Sequence, residues 1–168
     1  LLIIGFGIVG QVVYEGLVEN NIIDILDAEP NDDIDYSSYD GIIICLPTPQ
    51  GPMGECDDML VEQYHMEIRQ EVPAVPILIK STISIELVEL LEDDQEVTYN
   101  PEFLTEADSK EQFCHQKFAI FGGHHCRSWY ELYINSGIKI DKVRFTSMKN
   151  AAYAKYTINS FLATKVIF

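Results

Sequence analysis

The stretch Leu1-Leu2-Ile3-Ile4-Gly5-Phe6-Gly7-Ile8-Val9-Gly10 decides the fold. Its apolar opening reads as a strand buried on both faces, and the spacing over Val9–Glu19 reads as a helix, so the glycines occupy a strand-to-helix turn. In such a turn Gly5 permits the tight bend, Gly7 lets the backbone approach a diphosphate, and Gly10 lets the helix pack close to the strand. The diphosphate would rest on the free N–H groups of the first helical turn, around Ile8 and Val9. Asp27 follows at the end of the second predicted strand, where a carboxylate can accept hydrogen bonds from a ribose diol. Nearby Glu29, Asp32 and Asp33 would repel a 2′-phosphate, so the pattern predicts NAD rather than NADP. Without a ligand, the same residues make a tight βα turn and Asp27 a loop carboxylate.

Further along, Ile22–Leu26, Gly41–Leu46, Pro76–Ile79, Val97–Tyr99 and Phe118–Phe121 are short apolar or β-rich runs. Asp57–Gln70 and Ile85–Leu91 carry helical spacing between them. Alternation of this kind predicts an α/β fold: a Rossmann-like, doubly wound, mainly parallel sheet followed by a long C-terminal helix. One connection departs from it. Asp27 to Gly41 is too short and acidic for a crossover helix, and a loop or single turn is expected. Ala151–Phe168 spreads Tyr156, Phe161, Leu162, Val166 and Phe168 around much of a helix, which suggests an inter-domain or dimer helix. The expected division is 1–147 for the dinucleotide-binding domain and 148–168 for the start of a central helix. The first residue lies inside a strand and is not Met, and the last lies in a helix, so the chain reads as a piece of a longer protein.

With 168 residues and 47% hydrophobic content, the chain can bury a real core. The net charge of −16 argues against nucleic acid or anionic lipid as partners. No apolar run reaches bilayer length, and a cytoplasmic location is expected. Charge is uneven: residues 1–100 carry two basic and 21 acidic side chains, residues 101–168 nine and six. Either the first half presents a solvated acidic surface, or an anionic ligand is held by the second half with backbone amides of the first. Cys45, Cys56, Cys114 and Cys126 are well separated and read as inert reduced thiols. Cys114-His115 and His124-His125-Cys126 have zinc-ligand chemistry without a finger's spacing, so no metal is expected.

Four segments go beyond a generic Rossmann pattern: Cys45-Leu46-Pro47-Thr48-Pro49, Lys80-Ser81-Thr82-Ile83, Asn100-Pro101-Glu102-Phe103-Leu104-Thr105-Glu106, and Lys155 to Ala163. The first three each follow a predicted strand, so they should converge on one crevice at the strands' carboxyl ends. Glu102 and Glu106 are four apart, as are Lys155 and Asn159, so within helices each pair shares a face. A lysine and an amide on one face suit a developing oxyanion. The bland readings are helix-start carboxylates for the glutamates, a solvated stripe for Lys155 and Asn159, and a strand-end residue for Thr82.

In order and content these segments resemble the UDP-glucose/GDP-mannose dehydrogenase family, from Gly5 to the last residue. The resemblance implies oxidation of a sugar C6 alcohol by NAD in two hydride transfers, through an aldehyde and a cysteine-bound thioester. It implies that Lys155 and Asn159 stabilise oxyanions, that Thr82 and Glu106 help place water and cofactor, and that Glu102 is the acid/base candidate. By the same likeness Leu46, Pro47 and Thr48 meet the cofactor, while Glu102, Phe103, Leu104, Lys155 and Asn159 meet a UDP-glucose-like nucleotide sugar. A homodimer through the 151–168 helix is also implied. The chain departs from the family in three ways. The nucleophilic Cys would lie beyond its last residue. The segment between the second and third strands is short. Ala152 stands where the family has an acidic residue, and Lys117 where it has Arg, which loses bidentate geometry. Two other readings remain: a β-hydroxyacid dehydrogenase making a single oxidation, and a non-catalytic NAD-binding assembly module.

Overall fold

The structure, a computed structural model, describes residues 1–27, 34–105 and 108–167. Strand β1 (Leu2–Ile4) leads into α1 (Ile8–Leu17) and β2 (Asp24–Leu26). Then come β3 (Ile42–Ile44), α2 (Met59–Glu71), β4 (Ile77–Ile79), α3 (Ile85–Leu91) and β5 (Val97–Tyr99). The remainder is α4 (Ser109–Cys114), β6 (His115–Gln116), β7 (Ala119–Gly123), α5 (Cys126–Asn135), β8 (Lys139–Ile140), β9 (Val143–Thr146) and α6 (Met148–Ile167).

Seven strands form one sheet in the order β2-β1-β3-β4-β5-β7-β9. Every neighbouring pair is parallel except β5 with β7. From β1 the chain steps outward to β2 and then returns to pair β3 on the other side of β1. That reversal opens a crevice above the carboxyl ends of β1 and β3, the place where open α/β sheets bind ligands.

The central strands β1, β3 and β4 are apolar throughout because both faces are covered. Leu2, Ile4, Ile42, Ile44, Ile77 and Ile79 point into one cluster with Val61, Tyr64 and Ile68 of α2, Leu87 and Val88 of α3, and Met148 and Ala151 of α6. Ile3, Ile43 and Leu78, the alternate positions, point into a second cluster with Val12, Val13 and Leu17 of α1, Phe113 of α4, and Trp129 and Tyr133 of α5. A period of two thus sends successive side chains to opposite helical layers.

The connection expected to be a loop or single turn has a 3-10 turn at Tyr36–Ser38, where Asp35 accepts a 3.0 Å hydrogen bond from the Ser37 amide. Glu29, Asp32 and Asp33 of the same connection lie outside the described residues. The expected strand at Phe118–Phe121 is β7, displaced to 119–123 and antiparallel to β5. Sequence periodicity missed α4, α5, β6, β8 and β9, which are short or mostly polar. In α5 the buried positions reduce to Cys126, Trp129 and Tyr133, too few for a clear stripe. Helix α6 begins at Met148, ahead of the first apolar-periodic residue. Its opening turn is held by burial of Met148, Ala151 and Ala152, and Gly122 of β7, with no Cβ, lets the backbone of Met148 and the Ala151 methyl come close. Beyond that turn Phe161 and Leu162 are exposed.

Candidate functional site

At the end of β1, Gly5 bends the chain with φ +91°, and a Cβ there would lie 2.7 Å from the Cys45 carbonyl oxygen. Its amide donates to the Leu26 carbonyl at 2.8 Å, tying the bend to β2. Gly10, on the first turn of α1, faces the same bend, and a Cβ there would meet the Gly5 oxygen at 2.1 Å. Only a residue without a side chain lets α1 start this close to the strand. Gly7, which precedes the helix, is different: a Cβ would meet nothing within 4 Å among the described residues. Open space beside main-chain N–H groups at a helix N-terminus suits a diphosphate. Asp27 stands exposed across the loop, and its Oδ1 accepts from the Phe6 amide at 3.2 Å. Its carboxylate therefore braces the glycine loop and still presents acceptor lone pairs outward.

These groups border a cleft of about 600 Å³, within the range of ligand sites. Gly5, Gly7, Ile8, Val9 and Asp27 line one end, and Leu46, Pro47, Thr48 and Thr82 line the side above β3 and β4. Glu102, Leu104 and Lys155 close the far end. Most of the sites expected from sequence therefore meet in a single cavity, although they come from segments more than 100 residues apart. The Gly5, Gly7 and Asp27 arrangement fits a dinucleotide, with the diphosphate at the helix start and a ribose at the carboxylate.

Several expected residues stand elsewhere. Gly10 packs under the loop, where it shapes the cleft without facing it. Phe103 turns away to stack on Phe118, ring centroids 4.6 Å apart, and lines a second cavity of about 300 Å³ with Leu104, His115 and Lys117. Asn159, one turn beyond Lys155, is exposed and not among the residues lining the cleft. One helical turn carries it about 6 Å along the axis, past the strand ends. Glu106 lies outside the described residues.

The far wall contains a group that sequence reading missed. Lys80, one residue after β4, is 2% exposed and pairs with the Glu102 carboxylate. Burial works against its charge, but Glu102 and Tyr133 outweigh that and raise its pKa above the ordinary lysine value. Lys155 donates to the Glu102 main-chain carbonyl and lies 5.4 Å from the Phe103 ring centre. Burial lowers the Lys155 pKa, Glu102 opposes this, and Lys80 adds to it. Cys45 also lines the cleft, but burial pushes its thiol up to about 12 against the pull of Lys80. It is a packed thiol, unsuited to nucleophilic work at neutral pH. Burial likewise raises Cys56 and Cys126, which stand outside the cleft lining.

No family model matches the chain. It is 28% identical over 148 residues to UDP-glucose 6-dehydrogenase of Rickettsia typhi, a match covering 80% of this chain and 33% of that protein. Its fold superposes on a ternary complex of GDP-mannose dehydrogenase from Pseudomonas aeruginosa with a TM-score of 0.81 at 19% identity, covering 98% of this chain and 50% of that one. A UDP-glucose dehydrogenase from Pyrobaculum islandicum gives 0.78 at 19% identity, covering 96% and 49%. The chain is thus similar in sequence to a UDP-glucose 6-dehydrogenase and in fold to nucleotide-sugar dehydrogenases. It spans about a third of the length of that curated relative and about half of these solved chains. The glycine loop, Asp27, the Leu46–Thr48 segment, Glu102 and Lys155 occupy one continuous cleft. No described helix is long and apolar enough to cross a membrane.

Proposed function

We propose that this chain is the cofactor-binding portion of an NAD-dependent nucleotide-sugar dehydrogenase, in which residues 1–147 form the dinucleotide-binding domain. The observation that carries the reading is the shared cleft: open space at Gly7 beside helix-start amides and a carboxylate acceptor at Asp27 share a cavity of about 600 Å³ with a paired lysine and glutamate. NAD, when bound, supplies the hydride acceptor. The amides at Gly7–Val9 hold its diphosphate and Asp27 its adenosine ribose. Leu46, Pro47 and Thr48 exclude water from one side, and Thr82, Glu106 and the wall at Glu102 orient the reacting end. Lys155 stands where a cation stabilises oxygen that gains negative charge, with Asn159 as its partner when substrate is present. Glu102 is the acid/base candidate, and the main chain at Phe103 and Leu104 meets the sugar nucleotide. Because burial depresses the Lys155 pKa, its charge is more readily surrendered than that of a surface lysine. In the full reaction, an alcohol would become a carboxylate by two hydride transfers to two molecules of NAD in turn, the second from a thiohemiacetal on a thiol, and water would then cleave the resulting thioester to release the acid and the thiol. None of the four cysteines is assigned as that thiol. The exposed Phe161 and Leu162 of α6 support a homodimer through this helix, and the protein would work in the cytoplasm.

The deciding measurement is calorimetric titration of the chain with NAD and NADP. NAD binding at least tenfold tighter than NADP is expected, since Asp27 repels a 2′-phosphate. Equal affinity for the two removes the role assigned to Asp27, and no binding of either removes the dinucleotide reading.

A further inference from the structure

Lys80 is a costly residue to place where it stands. Its ammonium lies between the sheet and the α1/α4/α5 layer, with Nζ 5.4 Å from the Tyr133 ring centre and 5.6 Å from that of Phe113. All three N–H bonds are used. One goes to the Glu102 carboxylate, one to Asn100 Oδ1 at 2.6 Å, and one to the Tyr133 hydroxyl at 3.0 Å. The partners are held in turn. Asn100 donates from Nδ2 to the Ile120 carbonyl at 2.7 Å, and the Tyr133 hydroxyl donates to Asn100 Oδ1 at 3.3 Å. The network thus reaches from β4 to the end of β5, to β7 and to α5.

A buried ion pair gives little stability beyond what well-packed apolar residues would give. Its geometric effect is larger. Pro101–Thr105 is the wall between the large cleft and the second cavity, and Glu102 and Leu104 line both. That wall is pinned at two points. Gln112 accepts from the Thr105 amide at 2.9 Å and donates to its hydroxyl at 2.8 Å, and Lys80 holds the Glu102 side chain. The main-chain carbonyl of the same Glu102 receives Lys155.

We propose that Lys80 is a positioning residue: it holds the Glu102 carboxylate at the cleft wall and, through the main-chain carbonyl of the same residue, fixes where the Lys155 ammonium stands. The inference deepens the dehydrogenase reading and rests on it for its functional meaning, while the geometric claim is testable without turnover.

The test is NMR titration of the Lys155 Cε resonance in the whole 13C-lysine-labelled chain, assigned with Lys155→Arg. Three proteins are compared: the natural chain, Lys80→Arg and Tyr133→Phe. Lys80→Arg keeps the charge but replaces a compact ammonium by a planar fork that the site cannot take without moving Glu102. Tyr133→Phe removes one Lys80 partner and no net charge. Lys155 in the natural chain should titrate below an ordinary lysine. In Lys80→Arg its midpoint should rise by about half a pH unit or more as the wall shifts and Lys155 reaches water. Tyr133→Phe should move it the same way by less. A purely structural Lys80 would lower the thermal midpoint of both variants and leave the Lys155 titration in place, and that result overturns the proposal. Should Lys80→Arg fail to fold, an unmoved midpoint in Tyr133→Phe does the same. NAD is titrated into the natural chain in parallel. Failure to bind removes the dinucleotide reading alone, and an unmoved Lys155 removes the positioning role alone.

Discussion

At one end of the cleft, Gly5, Gly7 and the first amides of α1 present main-chain N–H groups, and Asp27 is the charged side chain among them. At the other end, Lys80, Glu102 and Lys155 present three charged groups, of which Lys80 and Glu102 are buried. The glycine end works through the absence of side chains and asks only for a bend of the right hand. The far wall works through side chains that are costly to bury singly and tolerable only together. The two ends should therefore fail differently. Damage to the glycine end removes binding, whereas damage to the wall first removes stability and placement.

The largest effect is expected at the wall. Lys80→Met leaves the Glu102 carboxylate and the Asn100 and Tyr133 oxygens without their cation. Removing one partner of a buried pair costs about 3–5 kcal/mol, or on the order of 10 °C in thermal midpoint for a chain of this size. Lys80→Met combined with Glu102→Leu should recover most of that loss, because no uncompensated charge then remains. Scanning calorimetry of the single and double variants reads this directly, and an unrecovered double variant would show that the pair is not the unit of stability. At the glycine end, Gly10→Ala forces a Cβ to within 2.1 Å of a main-chain oxygen, so α1 must withdraw from the loop. Overpacking of this kind costs about 1–3 kcal/mol, less than the wall variant, but NAD binding by titration should disappear. Retained binding would mean that the helix start does not hold the diphosphate.

This asymmetry also explains what the sequence made legible. Three glycines in a six-residue window, between an apolar run and a helical pattern, signal a backbone geometry that is local in the chain. The bend at Gly5 and the packing of Gly10 could thus be anticipated from spacing alone. The strands β1, β3 and β4 were legible for a related reason, since a strand covered on both faces reads as a continuous apolar run, while β2 and β5 showed as short β-rich runs. Lys80 was not legible as a site residue. Nothing near it in sequence shows that it is buried, and its partners lie 20, 22 and 53 residues away. The resemblance pointed to Lys155 and Glu102 through the motifs around them. It could not show that both lysines use the same residue, one through its carboxylate and one through its carbonyl. The antiparallel turn from β5 into β7 was hidden too. So was the exit from β7 into α5, which passes through Gly123 at φ +99° and His125 at φ 51°, backbone states that an apolar-run reading does not register.

Asp27 belongs to the glycine end and separates binding from stability there. Its exposed carboxylate has one structural duty, the Phe6 amide, and one proposed duty, the ribose. Asp27→Ala should weaken NAD binding by about 10–100-fold, the range of a charge-assisted hydrogen bond, with little change in thermal midpoint. A matching loss of stability would instead make it a loop brace.

The smallest effect, and the control for the wall, comes from a charged network far from the cleft. Asp94 accepts from Arg69 Nε at 2.6 Å and contacts His65 Nε2 at 2.7 Å, fastening α2 to the turn before β5. Burial of Asp94 acts to raise its pKa, but the Arg69, Glu96-amide and His65 hydrogen bonds prevail and hold it below the usual 3.8. Acid therefore protonates this carboxylate in the unfolded chain before it does so in the folded one. Its stabilising contribution is complete at neutral pH and erodes as pH falls from about 4 through the lower folded value. Asp94→Asn should cost modest stability at pH 7 and flatten the acid limb of the stability curve below pH 4, while NAD affinity and the Lys155 titration stay unchanged. If Asp94→Asn moved the Lys155 midpoint as far as Lys80→Arg does, any loosening of the fold would suffice to displace Lys155. The wall would then have no special claim on it, and the contrast between the two ends of the cleft would reduce to a difference in local stability.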